Sequence, residues 1–456
     1  MSSSSESDEL TILAIGDVHL GLRPGSLPKD LDREGVAPRD LTPEAALLGA
    51  ITCAIDTKVD AVVFTGDVVE STNARYEAVR PLELAVRRLL AAKIPVLAVA
   101  GNHDVEALPR LAGMIEGFEL LGEGGRWQSR VVENATGLAV ELLGWSFPER
   151  RVLSSPVDRL LRNPVAPARS GLARIGLLHA DLDASSGPYA PITSRELKAS
   201  GLDAWLLGHI HNPSLPEVSE ASGGRAPFGY LGSLVGLDPS EVGPRGPWLL
   251  RVNGRGEIST KHLPIAPLRW ERFEVRVDEN DGPEEVGDLL LAEIRRMGET
   301  VRSDGHAPKA LGIRPVLIGA TRHYDELRGC IRDGTWNGLM RSAGKTLVFV
   351  DKVVDGLALA RDLHELALGD DPAALMAQKL LLLKTPSEGR TALLDAAREA
   401  LQGLASEPRW RALDTERNAE DPLAEDAAVA AILSQAGIET LNALLEQRDR
   451  PRGSEA

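Results

Sequence analysis

Residues 11–19 (TILAIGDVH), 61–67 (AVVFTGD) and 95–104 (PVLAVAGNHD) share one pattern, in which an apolar run ends at a glycine and polar residues. Stretches of helical character at 43–56 and 74–92 separate the three runs. Strands that alternate with helices in this way are typical of a parallel sheet built from right-handed βαβ units. Each polar group therefore follows a strand directly, at the carboxyl edge where open α/β sheets bind ligands.

The length and composition indicate a soluble globular protein of two or three domains, with 456 residues, 43% hydrophobic and 26% charged. The serine-rich, acidic start is unlike a signal peptide and predicts a disordered tail over residues 1–9. No apolar run approaches the roughly 20 residues that cross a bilayer, so no membrane-spanning segment is expected. Two distant cysteines provide neither a disulfide framework nor a thiolate zinc site, which favours a cytoplasmic location.

The net charge of −16 argues against a protein that coats DNA, since phosphate neutralisation needs lysine and arginine. It does not exclude a nuclease that works through bound metal ions, because the formal charge omits them. Tight DNA binding would then depend on local basic patches or on a partner.

Further patterns divide the chain into three predicted domains. Apolar and polar residues alternate at 128–132 and 137–143, which predicts antiparallel strands of a second sheet. Two more apolar runs end in histidine, and together these strands predict one two-sheet domain over residues 10–267. Residues 268–368 read as a small α+β domain without evident chemistry, and residues 369–456 read as helical throughout.

Polar residues follow the predicted strands at five places that together contain five of the nine histidines. Alternate residues of an extended segment point to the same side, so two of these groups can each form a two-ligand prong. Carboxylate, amide and imidazole ligands without thiolate suit manganese, iron or zinc. The five groups are Asp17-Val18-His19, Gly66-Asp67, Gly101-Asn102-His103-Asp104, His179 and Gly208-His209-Ile210-His211.

Such a ligand set can hold two cations bridged by a shared carboxylate. Asp67 is the predicted bridge, because it stands alone on the central strand of the first three. His103 is then available as a general acid, with Asp104 expected to hold it in place. We predict one cation on Asp17, His19, Asp67 and His211, and the other on Asp67, Asn102, His179 and His209. A single such motif is often structural, so the prediction depends on all five occurring in order.

These motifs resemble the calcineurin-like metallophosphoesterase superfamily. The resemblance implies an α/β/β/α sandwich with a dinuclear centre at the sheet edges, commonly manganese in nucleases. The later residues Tyr230-x-Gly232-Ser233, Glu241 and Gly243-Pro244-Arg245-Gly246 resemble the SbcD and YhaO-like exonucleases, and residues 268–350 resemble their capping domain.

The resemblance to those nucleases implies a manganese-dependent DNA nuclease, a 3′→5′ exonuclease with some endonuclease activity. It further implies an SbcC-type coiled-coil ATPase partner, docked through the C-terminal helices, and often a homodimer. Glu70 departs from the pattern, because some of these nucleases have a histidine there, close to DNA. Substrate contacts are predicted at Arg23, Glu70, Tyr230 and Ser233.

Several alternatives remain open from the sequence. The arginines between residues 149 and 174 could follow a phosphate backbone or lie on an ordinary surface. The apolar faces of the C-terminal helices could bind a coiled coil or pack on each other. The same catalytic motifs would also serve a phosphoprotein phosphatase or a cyclic-nucleotide phosphodiesterase. A scaffold subunit that has lost catalysis is a further alternative, which the complete ligand set disfavours.

Overall fold

The computed structural model describes residues 9–70, 78–184, 187–219, 226–303, 307–360, 363–405 and 426–449. The predicted tail therefore lies outside the described residues except for Glu9, as does the beginning of the helix predicted over 74–92. The chain forms two compact units, the first comprising 1–273, 291–314 and 337–352 and the second comprising 274–290, 315–336 and 353–456. Because these units interleave along the chain, the domain boundaries expected at 267 and 368 stay predictions.

The strands of the described chain, in order, are β1 (Glu9–Ile15), β2 (Ala61–Phe64), β3 (Val96–Ala98), β4 (Phe118–Leu120), β5 (Gln128–Glu133), β6 (Ala139–Trp145), β7 (Ala173–His179), β8 (Ala204–Gly208), β9 (Phe228–Tyr230), β10 (Trp248–Asn253), β11 (Ile258–His262), β12 (Leu268–Arg276), β13 (Ala310–Thr321), β14 (Met340–Ala343), β15 (Thr346–Val350) and β16 (Val354–Leu359). The helices are α1 (Pro43–Thr57), α2 (Val79–Ala91), α3 (Ala107–Met114), α4 (Pro156–Arg162), α5 (Ser194–Ala199), α6 (Pro283–Ser303), α7 (Tyr324–Asp333), α8 (Leu363–Leu366), α9 (Pro372–Lys384), α10 (Glu388–Ala405) and α11 (Asp426–Asp449).

The first sheet of unit 1 has the strand order β11-β10-β1-β2-β3-β4. Strands β1 to β4 pair in parallel, and β10 and β11 add antiparallel strands at one edge. All four residues of β2 are buried, because helices cover one face of a parallel sheet and a second layer covers the other. The predicted strand–helix alternation through residue 104 is confirmed, with β2 between β1 and β3.

The second sheet has the order β5-β6-β7-β8-β9. The predicted antiparallel pairing holds for β5 and β6, whereas β6 to β9 pair in parallel. This difference follows from the residues, since β7 and β8 are continuous apolar runs that are almost entirely buried.

Three apolar clusters order unit 1 into layers. One cluster joins the facing sides of the two sheets, with residues such as Ile12, Leu97, Leu142 and Leu206. A second cluster packs α1, α2 and α3 on the outer face of the first sheet. A third packs α4 and α5 on the outer face of the second sheet. The fold is therefore the predicted α/β/β/α sandwich.

Residues beyond 267 contribute to both units. In unit 1, the beginning of β13 pairs in parallel with β15, which pairs antiparallel with β14. Trp270 and Phe349 belong to the same core cluster as α1 and α2. In unit 2, the end of β13 pairs in parallel with β16.

The predicted C-terminal helices are present in unit 2 as α9, α10 and α11. Helices α9 and α11 pack through Leu380, Leu441 and Leu445. Residues Asp426–Leu445 of α11 are, by length and a hydropathy of 1.4, apolar enough to cross a membrane. Because this criterion is also met by helices that pack in water-soluble proteins, it is weak support for a membrane span.

Candidate metal centre

The polar groups that follow β1, β2, β3, β7 and β8 converge at the carboxyl edge of the two sheets. Among the residues that the structure describes, three overlapping sets of side chains bring potential ligand atoms within 4.8 Å of one another. These sets are Asp17 with His19 and His211, Asp17 with Asp67 and His179, and His19 with Glu70 and His103. The parallel pairing within each sheet produces the convergence, since it aligns the carboxyl ends of the strands.

Asp67 occupies the middle of the cluster. Its Oδ2 atom lies 3.3 Å from His179 Nε2 and 3.9 Å from His19 Nε2. Its Oδ1 atom accepts a hydrogen bond of 3.0 Å from the backbone N–H of His103. One carboxylate oxygen thus faces imidazoles from both sheets, as expected of a bridging ligand.

The backbone around Asp67 requires glycine on both sides of the cluster. Gly66 has φ +97°, and a Cβ there would lie 2.6 Å from His179 Nδ1. A Cβ on Gly101 would lie 2.2 Å from Asp67 Oδ1. Glycine is therefore needed for close approach of the two loops to the ligand atoms.

Asp17, His19 and His211 form one side of the cluster. The Nε2 atoms of His19 and His211 lie 3.0 Å apart. Asp17 Oδ1 accepts from the backbone N–H of His209 at 2.9 Å, whereas Asp17 Oδ2 is buried and has no hydrogen-bond partner among the described residues. Because an unpaired buried carboxylate oxygen is costly, this arrangement fits a bound cation.

Asn102, His179 and His209 form the other side. Asn102 Oδ1 lies 3.0 Å from His179 Nε2, and His179 Nδ1 lies 3.1 Å from the carbonyl oxygen of Thr65. The rings of His179 and His209 meet edge to face, with centroids 5.1 Å apart. The predicted ligands of both cations are thus brought together.

The electrostatics of the cluster also suit a cation. Burial alone would lower the pKa of His179, but nearby carboxylates, Asp67 foremost, raise it to about 9. Burial would raise the pKa of Asp67, yet the imidazoles around it, His179 foremost, hold it well below its usual range. A proton on His179 therefore supplies positive charge between carboxylates, where a metal ion would supply more.

The prediction that Asp104 holds the His103 ring in place is wrong. Its Nδ1 atom lies 2.9 Å from Glu70 Oε2, not against Asp104. Asp104 is fully buried and accepts from the backbone N–H groups of Val68 and Gly101, both at 2.7 Å. Asp104 thus ties two ligand-bearing loops together, and Glu70 orients the His103 ring, which is 45% exposed.

The structure buries three of the predicted substrate contacts. The Tyr230 hydroxyl donates to the Ala180 carbonyl at 3.0 Å and accepts from Leu182 N–H at 2.6 Å. The Ser233 hydroxyl donates to Glu241 at 3.1 Å, and Glu70 is committed to His103. Because these polar groups are already paired inside the protein, they support the site rather than meet substrate. Arg23 is exposed on the loop after His19, and its role stays a prediction.

Sequence analysis assigned no role to the charged side chains that surround the ligands, although Glu241 and Arg245 lie in the stretch that resembles the exonucleases. Asp181 Oδ1 lies 3.0 Å from His209 Nε2, and Glu241 Oε1 lies 2.6 Å from His211 Nδ1. Arg245 is buried and donates to the His211 carbonyl and, at 2.8 Å, to Asn212 Oδ1. Asp181 could have been predicted from the sequence, because it lies two residues after His179 and alternate residues of an extended segment point to the same side.

Four of the six arginines between residues 149 and 174 lie within 4.0 Å of neighbouring carboxylates, and Arg159 donates to the Ser154 hydroxyl at 2.9 Å. Such exposed pairs are ordinary surface features and leave little support for a continuous phosphate track. The pairs are Arg150–Glu106 at 3.9 Å, Arg162–Asp158 at 2.8 Å, Arg169–Glu133 at 2.9 Å and, with a buried carboxylate, Arg174–Glu141 at 2.8 Å.

Residues 10–213, which carry all the predicted ligands, match the family described as calcineurin-like phosphoesterase. This stretch is a calcineurin-like phosphoesterase domain. The domain is thus a phosphoester hydrolase at the level of its family, and that family uses a dinuclear centre of divalent metal ions.

Curated relatives of the phosphoesterase domain are DNA repair proteins and a protein named only by family. The chain is 28% identical over 267 residues to the uncharacterized metallophosphoesterase YhaO of Bacillus subtilis, covering 56% of this chain and 62% of YhaO. It is 27% identical over 304 residues to the DNA double-strand break repair protein Mre11 of Aeropyrum pernix, covering 64% of this chain and 69% of that Mre11. It is 29% identical over 308 residues to Mre11 of Haloferax volcanii, covering 64% of this chain and 62% of that Mre11. The match to YhaO thus spans less than two thirds of that relative.

Proposed function

We propose that the protein is a manganese-dependent DNA nuclease, acting as a 3′→5′ exonuclease with endonuclease activity. The observation that carries the proposal is the convergence of buried carboxylate and imidazole ligands around Asp67, with Asp17 Oδ2 left unpaired among the described residues. This is the environment of a metal-dependent phosphoesterase, because the cluster holds negative charge that only bound cations or protons can balance.

The ligands would divide between two cations as their positions suggest. When bound, two divalent cations would neutralise charge on the phosphate and activate the attacking water. Oxygen and imidazole donors without thiolate are compatible with manganese. The first cation would use Asp17, His19, Asp67 and His211, and the second Asp67, Asn102, His179 and His209.

His103 would be the general acid of the reaction. Its Nδ1 atom is engaged by Glu70, which leaves Nε2 as the nitrogen able to protonate the leaving 3′-oxygen. The partial exposure of the ring would allow contact with a substrate that approaches from solvent. Glu70 would fix the orientation of the ring, and Asp104 would connect the loops that contain Val68 and Gly101 through its two hydrogen bonds.

DNA is the proposed substrate because the relatives with assigned roles are double-strand break repair proteins. The metal cluster by itself would equally suit other phosphodiesters. Part of the same proposal is a cytoplasmic complex in which α9 to α11 bind the coiled coil of an SbcC-like ATPase. Leu375 and Leu382 on α9 and Ile432 on α11 are exposed and would supply apolar contacts.

The decisive experiment is digestion of end-labelled duplex and single-stranded DNA with manganese, with magnesium or with a chelator. The wild type is compared with His103→Ala, and bis-p-nitrophenyl phosphate serves as a second substrate. We expect manganese-dependent shortening of DNA that the substitution abolishes and the chelator prevents.

Two other results would change the assignment. Hydrolysis of bis-p-nitrophenyl phosphate without DNA cleavage would retain the metal centre and reject DNA as substrate. If both substrates stay intact although manganese binds, the protein is a scaffold and the nuclease proposal is wrong.

A further inference from the structure

His209 and His211 follow β8, separated by one residue, and one ring nitrogen of each faces a carboxylate outside the cluster. His209 Nε2 lies 3.0 Å from Asp181 Oδ1, and His211 Nδ1 lies 2.6 Å from Glu241 Oε1. The contacts therefore use different nitrogens on the two rings. Neither carboxylate belongs to the five strand-end motifs.

The two contacts determine which nitrogen of each ring is free to bind a metal ion. An ionised carboxylate only accepts hydrogen bonds, so the ring nitrogen that faces it carries the hydrogen. His211 would then offer Nε2, which indeed lies 3.0 Å from His19 Nε2 inside the cluster. His209 would offer Nδ1. His209 would thus be the Nε2–H tautomer and His211 the Nδ1–H tautomer.

The Glu241 carboxylate and the Asp181 backbone are each held by hydrogen bonds to their surroundings. Glu241 Oε2 accepts from Ser233 Oγ at 3.1 Å and from the Leu237 backbone N–H at 3.0 Å. The backbone of Asp181 is fixed by hydrogen bonds of 2.9 Å to the Tyr189 carbonyl and 2.8 Å from Ile192 N–H. His209 itself has φ +105°, a backbone conformation uncommon for histidine, so an anchor on its ring matters more.

We propose that Asp181 and Glu241 are positioning residues that fix opposite tautomers of His209 and His211, and that each carboxylate controls manganese affinity in its own half of the centre. The manganese part rests on the proposed function, whereas the tautomers can be tested without metal. Outer carboxylates of this kind typically change metal affinity by about 10-fold to 100-fold.

The first test reads the tautomers directly in the metal-free protein. Nitrogen-15 labelling of histidine alone gives long-range proton–nitrogen spectra for nine rings, which His209→Ala and His211→Ala assign. We expect hydrogen on Nε2 of His209 and on Nδ1 of His211. Asp181→Ala, which removes the acceptor, should alter only the first pattern and Glu241→Ala only the second. The same tautomer on both rings, or patterns unchanged by the substitutions, would overturn the proposal.

The second test is titration with manganese(II) alone, followed by calorimetry and by the magnetic coupling of the bound ions. Asp181→Asn and Glu241→Gln should each weaken one site by about 10-fold to 100-fold. Asp181→Asn should add no further loss to His209→Ala but should add one to His211→Ala, and Glu241→Gln should do the reverse. Asp181→Glu and Glu241→Asp should recover part of the affinity.

Matched controls separate positioning from general damage. Asp158→Asn and Glu119→Gln alter surface carboxylates that pair with Arg162 and Arg130, and both should bind manganese like the wild type. Wild-type affinity in Asp181→Asn and Glu241→Gln would overturn the manganese part of the proposal alone. A wild type that binds no manganese would overturn that part and the proposed function together.

Discussion

The carboxyl edge of the two central sheets and the helices α9 to α11 use their side chains in opposite ways. At the sheet edge Asp17, Asp67 and His179 are buried, and their polar atoms lie against other ligands. On α9 and α11 the informative residues are apolar and exposed, as Leu375, Leu382 and Ile432 illustrate. One region buries charge and the other exposes apolar surface.

The difference explains why the two regions reveal function to different degrees. Burying several ionisable groups is costly unless they pair or bind metal, so few arrangements are allowed and their residue types are diagnostic. An exposed apolar helix surface, in contrast, is compatible with many different partners or with no partner, so its residue types do not identify one. Substitutions at the sheet edge should therefore have large, specific effects, and substitutions on the helices should affect only association.

The largest effect is expected at Asp67. Asp67→Asn removes the charge that faces His19 and His179, so both proposed cations lose a ligand. Metal ions supply several kcal/mol of charge stabilisation, and each 1.36 kcal/mol is tenfold in rate. Hydrolysis of bis-p-nitrophenyl phosphate should fall by about 10³-fold or more, with loss of bound manganese by elemental analysis. A variant that retains both ions would refute the bridging role, and Asp158→Asn is the surface control.

The sequence was sufficient to predict this edge because its constraints are local. Each ligand follows a buried apolar run, and parallel strands align such positions regardless of what connects them. The prediction for Asp104 failed because adjacency in sequence says little about side-chain direction within a turn. The observed partner of His103, Glu70, is 33 residues away in sequence and adjoins it only after β2 and β3 pair.

A smaller effect, and one that depends on substrate, is expected at His103. His103→Ala should lower DNA cleavage by about 10²-fold to 10⁴-fold, the usual contribution of a general acid. Hydrolysis of bis-p-nitrophenyl phosphate should fall much less, because p-nitrophenolate leaves without a proton. Equal losses on both substrates would contradict the role of general acid. His323→Ala, which removes a similarly exposed histidine at 44%, is the matched control.

Asp104 should affect stability more than chemistry. Asp104→Ala leaves the backbone N–H groups of Val68 and Gly101 buried without acceptors. Each lost acceptor costs about 1–3 kcal/mol, so the free energy of unfolding measured with denaturant should decrease clearly. Glu70→Gln, in contrast, should retain most of the stability and lower DNA cleavage selectively. If Asp104→Ala is as stable as wild type and Glu70→Gln is not, the roles of the two carboxylates are reversed.

The domain boundaries expected at 267 and 368, which stay predictions, depend on contacts that are not local in sequence. Composition changes near residue 268, yet Trp270 and Phe349 join the core under the first sheet. Strand β13 contributes its beginning to one unit and its end to the other. Such interleaving depends on pairings between distant segments, which periodicity along a single stretch does not report.

The smallest effect on catalysis is expected on α9. Leu375→Asp combined with Leu382→Asp changes side chains that are 55% and 42% exposed, so packing in unit 2 should be retained. Hydrolysis of bis-p-nitrophenyl phosphate should be unchanged, while copurification with a coiled-coil ATPase should be lost. Leu84→Asp places a charge at a comparably exposed position, 48%, on α2 and should leave copurification intact. If the α9 variant still copurifies, this apolar surface is not the docking site. If it also loses hydrolysis, the two regions are coupled, and the contrast between a chemical edge and an associating surface fails.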